Sequence, residues 1–287
     1  MRITKNAGTL IASCILAITP LYSQEHEIGL WGGITHSFGD INTSLSSFQY
    51  YNGGGGVFYK YNFNPRLGWY IGVSAGSTEG YDNTSDENFQ QTRNLDYRTS
   101  VKELSSRIDF NFFSFNRTKP KEWFTPYVFA GLNVFHFNPQ GLYLGNWIDL
   151  QPLGTEGQNV LPDKDPYKRI QLGIPLGGGV KFALSENWAL GLEANWHKLF
   201  TDYFDDVSTR YVDPVILSSG PDGDIAVVMS DKSALTADIP VLGEPGRQRG
   251  DTKYNDAYLY GGIFVSYTIV NLKCPPPSAR GFAKRKN

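Results

Sequence analysis

Cysteine is nearly absent: Cys14 and Cys274 are the two in 287 residues, too few for a disulfide scaffold or a cysteine-rich zinc site. Charge is scarce as well. Charged residues make up 19%, against roughly 25% in soluble globular chains, and neither sign dominates, with 26 Lys+Arg facing 28 Asp+Glu. A chain-wide nucleic-acid binder would carry a basic excess, so nucleic acid is not an expected partner. Past the N-terminus no run reaches the ~18 apolar residues of a spanning helix. The HExxH pattern of zinc hydrolases and the GK[ST] ending of a phosphate loop are both missing. What the chain has in quantity is glycine, 31 residues, and aromatic side chains, 14%, a mixture that suits strands better than helices.

Residues 1–23 have the three parts of a secretory signal. Arg2 and Lys5 open it, an apolar stretch covers 7–20, and Leu21-Tyr22-Ser23 offers the cleavage site, so the mature chain begins at Gln24. An alternative treats Ile11-Ala12-Ser13-Cys14 as a lipobox acylated at Cys14. Against it, the apolar run continues through Leu16, Ala17 and Ile18, where a lipoprotein turns polar.

Downstream, apolar residues alternate with small or polar ones, the period of β-strands. In 98–113, Leu104, Ile108, Phe110 and Phe112 share one face, and Glu103, Arg107, Asp109 and Asn111 the other. In 169–184, Ile170, Leu172, Ile174 and Leu176 oppose Gln171, Gly173, Gly177 and Lys181; in 188–200, Leu190, Leu192 and Trp196 oppose Glu193, Asn195 and His197. With 27–39, 54–63, 67–78, 124–137 and 254–270 this predicts eight strands, most of them 10 to 16 residues long. Strands of soluble domains run about 5–6 residues, whereas a tilted membrane-crossing strand needs about 9–11.

Connections alternate in length too. Those at 64–66, 114–122 and 185–187 are short; those at 40–53, 79–97, 138–168 and 202–253 are long. Tyr61, Phe63, Trp69, Phe112, Phe113, Trp123, Phe182, Trp188 and Tyr267 all fall at the short-turn end, as an aromatic girdle at a membrane interface would. Because hydrocarbon offers no partner to backbone N–H and C=O groups, a β-sheet can cross it only when closed on itself. The expected fold is therefore all-β, an eight-stranded antiparallel transmembrane barrel with short periplasmic turns and long extracellular loops. It occupies 24–270 in the outer membrane, against outer-membrane lipid, with both termini periplasmic. A barrel this small has room for side chains and no water channel, so Glu103, Arg107, Asp109, Asn111, Lys181, Glu193 and Asn195 are expected as a polar plug.

Catalysis is not expected, and neither are a cofactor, a metal or a small-molecule substrate. The four histidines are His26, His36, His136 and His197. A hydrolase would need one of them beside a serine and a carboxylate; His136 falls on the outward face, and His197 lies four residues, about 13 Å, from Glu193. Asp202, Asp205 and Asp206 could hold calcium, yet EF-hand spacing is missing, and a solvated loop capping its own turns accounts for them. Between 202 and 256 acids outnumber bases 11 to 5, which suits a solvent-facing lid. The tail, 271–287, is basic, with Pro275, Pro276 and Pro277 forming an extended stem. Once the signal is removed Cys274 is unpaired, which suggests an intermolecular disulfide or a masked thiol.

Several stretches resemble the PorG-like outer-membrane proteins of the type IX secretion system of Bacteroidota. They are QEHEIGLWGG followed by FGDIN (24–42), TRNLDYRTSVKELSSRIDFNFF (92–113), FTPYVFAGLNVFHFNP (124–139), WIDLQPLGTEGQ (147–158) and TDYFDDVSTRYVDP (201–214). Residues 215–253 fall outside the resemblance. It implies a non-enzymatic barrel that anchors the periplasmic PorK/PorN ring, and it carries over no catalytic or ligand residue. A ring subunit would be met by the short turns and the tail, so Arg117, Lys119, Lys121, Cys274, Arg280, Lys284, Arg285 and Lys286 are the expected contact surface. Other readings are a surface adhesin or receptor working through the long loops, and a lipid-modifying barrel enzyme using His136 or His197.

Overall fold

The computed structural model describes residues 25–41, 50–220, 222–233 and 242–270. The signal segment with Cys14, and the tail with Cys274, Arg280, Lys284, Arg285 and Lys286, lie outside the described residues. Among the described residues, nine strands form one antiparallel sheet: β1 (Glu25–Phe38), β2 (Asn52–Asn62), β3 (Leu67–Tyr81), β4 (Asp96–Asn111), β5 (Phe124–Tyr143), β6 (Asn146–Asp149), β7 (Ile170–Ala183), β8 (Trp188–Leu199) and β9 (Ala257–Val270). The order is β4-β3-β2-β1-β9-β8-β7-β5-β6, and β4 also pairs with β5. Eight strands therefore close into a barrel, and β6 hangs from the far end of β5.

All eight expected strands are present. The largest difference is β5, which runs past residue 137 to Tyr143 and turns back through Leu144 and Gly145, both at positive φ. That is the backbone of a two-residue hairpin turn, where Gly145 costs nothing and Leu144 is held in a conformation rare for its type. Three short helices, α1 (Asn88–Arg93), α2 (Pro214–Leu217) and α3 (Gly223–Ser230), lie in the long connections.

Strand parity separates two environments. Outward positions carry Leu30, Leu132 and Ile170 at 63–65% exposure, with Ile28, Val57, Val73, Leu104, Leu172, Leu192 and Ile263 around them. Burying one such side chain is worth about 1.5–3 kcal/mol, and a soluble monomer does not leave a continuous belt of them in water. Hydrocarbon is the solvent that belt fits. Phe63, Trp69, Phe112, Phe113, Trp123, Trp188 and Tyr267 also face outward, at the short-turn end. Turns there are tight: Asn64 Oδ1 accepts from the N–H groups of Arg66 (2.8 Å) and Leu67 (2.9 Å), reversing β2 into β3. Inside, glycine makes room for bulk. A Cβ on Gly56 would lie 2.6 Å from Trp31 Nε1, the atom that donates to Ser74 Oγ at 3.0 Å.

Candidate functional site

Alternation places the charged residues of five strands in one narrow lumen, where they meet in layers. Nearest the short turns, Asp109 accepts from Lys60, with Lys181 Nζ at 3.5 Å and Arg107 Nε at 3.2 Å. At mid-barrel, Arg107 grips Glu193 with both ends of its guanidinium, at 2.7 and 2.6 Å. The rings of Tyr70 and Phe129 sandwich it at 3.9 and 3.7 Å, and the Tyr127 hydroxyl donates to Glu193 at 2.5 Å. Lys181 also reaches Asn111 Oδ1 at 3.3 Å and stands over the Tyr127 ring. Towards the long loops, Glu103 accepts from Tyr258 (2.5 Å) and Asn133 (2.8 Å), with His197 Nδ1 at 3.3 Å. Asn195 lines the same space. The cavity left between these layers is about 30 Å³, room for one or two waters.

All seven expected lumen residues lie in this interior. Glu27 and Lys60, opposite each other in the β1–β2 register, complete it and were not among the expected residues. The signal for Glu27 was present in β1, on the face opposite Ile28 and Leu30; Lys60 was hidden by the glycine run that blurs alternation in β2. Residues 72–76, Gly-Val-Ser-Ala-Gly, have the GxSxG spacing of a nucleophile elbow. They run straight through β3, and Ser74 is buried under Trp31, so the strand-turn-helix geometry such an elbow needs is missing.

Arg117 corrects an expectation. The β4–β5 connection tucks beneath the barrel, and the Arg117 side chain, 4% exposed, pairs with Glu27 (3.0 Å) and Glu25 (3.7 Å). Two carboxylates at the mouth of a dry lumen draw its charge inward, so it closes the short-turn end and offers no docking surface. Lys119 and Lys121 remain outside, Lys119 near Glu122 at 3.4 Å.

The long loops give a second correction. Residues 202–253 were expected to face solvent; their first part is instead a packed roof. Phe204 is buried against Phe135, Phe137 and Tyr258 over the lumen. Asp205 accepts from the N–H groups of Ile41 (3.1 Å) and Val207 (3.0 Å), and Asp256 from that of Phe204 (2.8 Å). Asp206 takes Thr155 (2.5 Å) and Tyr167 (2.7 Å). Two guanidiniums outside the expected residues knit the roof. Arg93 holds Asp82 with two bonds (2.7 and 2.8 Å) and donates to the Asp40 and Arg249 carbonyls. Arg249 pairs with Glu156 at 2.9 Å, whose carboxylate also caps the N–H groups of Ser208 and Thr209.

Acids outnumber these cations, and burial acts on the excess. It lifts Asp40 and Asp206 to about 6 and, with the neighbouring Asp40, Glu156 and Asp251 charges, Asp202 to about 7. Asp205 and Asp256 are pushed well above the ordinary carboxylate range by burial and by nearby aspartates, each by the other or by Asp40. Among the described residues no group of three or more His, Cys, Asp or Glu side chains is arranged to hold a metal ion. Of the histidines weighed for catalysis, His197 is sealed in the lumen and His136 faces outward.

A closed sheet with an apolar exterior, a charged interior and long loops at one end defines a transmembrane β-barrel of the outer-membrane type. The chain belongs to the family described as Domain of unknown function (DUF6089), whose model matches residues 7–213. Similar solved structures include the attachment invasion locus protein Ail of Yersinia pestis, with a TM-score of 0.39 and 10% identity over 86% of this chain and 100% of that one. Neisserial surface protein A has a TM-score of 0.41 at 8% identity, over 84% and 96%. A major outer membrane protein of Thermus thermophilus has a TM-score of 0.38 at 11% identity, over 86% and 100%. No curated protein matches the chain.

Proposed function

We propose that this barrel is a non-enzymatic component of a type IX secretion system, anchoring the periplasmic PorK/PorN ring to the outer membrane, with both termini in the periplasm. The observation that carries the reading is the closed lumen. Ion-paired layers and a roof leave no path for a substrate and no access to His197, which leaves the outer surfaces to do the work. At the short-turn end Lys119 and Lys121 are exposed, and the basic tail follows β9 from that same end. The resemblance in 24–42, 92–113, 124–139, 147–158 and 201–214 supplies the partner.

Removing 271–287 together with Lys119→Glu and Lys121→Glu should abolish co-purification of the ring, while the barrel keeps its heat-modifiable migration on gels. Unchanged co-purification would reject the surface. A receptor role is favoured by one observation: Leu144 and Val215 stand 84% and 77% exposed on the long-loop end. Under that reading, replacing both by serine impairs attachment and leaves the ring bound.

A further inference from the structure

Outward positions on β5 run Phe124, Pro126, Val128, Ala130, Leu132 and Val134, without a charge. Ten steps of about 3.3 Å, tilted by about 40°, rise ~25 Å, the height of a barrel's apolar band. His136 is the next outward residue, so it stands where hydrocarbon gives way to headgroups on the long-loop side. Lys102 lies directly across from it on β4, facing outward and exposed. On the other flank His136 pairs with Ile170, the first residue of β7, and Lys168 and Arg169 come just before it. His136, Lys168, Arg169 and Gln151 share a cleft of about 470 Å³ that no carboxylate lines. Among the described residues neither lysine has an ion-pair partner, and Asp149 reaches Arg169 only through the Asn138 side chain.

We propose that Lys102, His136, Lys168 and Arg169 bind the phosphate of an anionic lipid in the leaflet on the long-loop side, with its acyl chains against Leu104, Val134 and Leu172. Cations at a bilayer boundary need an anion or water, and a row of them directly above an apolar strip matches a molecule with phosphate above hydrocarbon. Three or four donors converging on one cleft suit a phosphate, which accepts at several oxygens. The inference rests on the barrel lying in a bilayer and is independent of any secretion partner.

The test is native mass spectrometry of the full chain released from nanodiscs of phosphatidylcholine doped with phosphatidylglycerol. Wild type should retain phosphatidylglycerol selectively. Losing one lysine should weaken that retention roughly fivefold, and Lys102→Gln with Lys168→Gln roughly thirtyfold; Lys119→Gln with Lys121→Gln at the opposite end should change nothing. Equal retention in the Lys102/Lys168 variant, equal loss in the Lys119/Lys121 variant, or full displacement by inorganic phosphate would each overturn the site. Should the double variant not fold, Lys102→Gln and Lys168→Gln are read singly, and undiminished retention in both is equally fatal. A wild-type chain that fails to enter nanodiscs refutes the bilayer reading, and the proposal with it.

Discussion

Arg107 concentrates the physics of the lumen in one side chain. Its charge is buried, held by Glu193 and Asp109 and faced by two aromatic rings, so removing it strands the Glu193 carboxylate with only the Tyr127 hydroxyl, while Asp109 keeps Lys60 and Lys181. Arg107→Ala should therefore cost about 3–5 kcal/mol, read from urea unfolding of the barrel in lipid. Replacing both members of the mid-barrel pair by apolar residues, Arg107→Met with Glu193→Leu, removes the desolvation cost along with the attraction and should be close to neutral. Comparable losses in the two variants would show that the pair stabilises on its own account. That Arg107 faces inward is legible from the alternation of 98–113. Its partner is not, because Glu193 lies 86 residues away and meets it only through barrel closure. The same blindness placed Arg117 outside: a turn of ordinary length says nothing of the two glutamates, Glu25 and Glu27, at the start of the first strand.

Strands were easier to read than loops because lipid and lumen differ so sharply in polarity that each crossing segment records both. Beyond the bilayer the contrast fades. β5 continues to Tyr143 and pairs with β6 where neither face meets hydrocarbon, and α1, α2 and α3, at 6, 4 and 8 residues, are too short for a helical period to register. Composition suggested an acidic, wet loop for 202–253; two arginines from separate connections turned its first part into a roof. The roof should respond to pH in an unusual direction. Asp40, Asp202 and Asp206, with folded values of about 6, 7 and 6 against an ordinary 3.8, bind protons that the opened loop releases. Stability from those protons is fully present below about pH 4 and is lost as the pH rises through 6 and 7. Amide protection at Phe204, Val207, Ser208 and Thr209, corrected for intrinsic exchange, should be lower at pH 8 than at pH 5.5, and Asp202→Asn should flatten the upper part of that change. Protection that rises with pH would contradict the burial argument.

Across the whole molecule the lumen is closed in series, by Arg117 at one mouth, by the Arg107–Glu193 layer at mid-barrel and by Phe204 under the roof. Series barriers make a specific prediction for ion flow, because opening one leaves the others intact. Wild type in a planar bilayer should show no steady conductance. Phe204→Ala removes the stopper yet leaves the charged layer, so it too should stay silent. Current should appear only when Phe204→Ala is combined with both Arg107→Ala and Arg117→Ala, which opens all three barriers and lets water enter around Glu193, Glu25 and Glu27, now without their guanidinium partners. Those carboxylates would make the open form cation-selective. Steady current through the wild type, or through Phe204→Ala alone, would mean that the layers do not seal the barrel and that a transport role has to be weighed against anchoring.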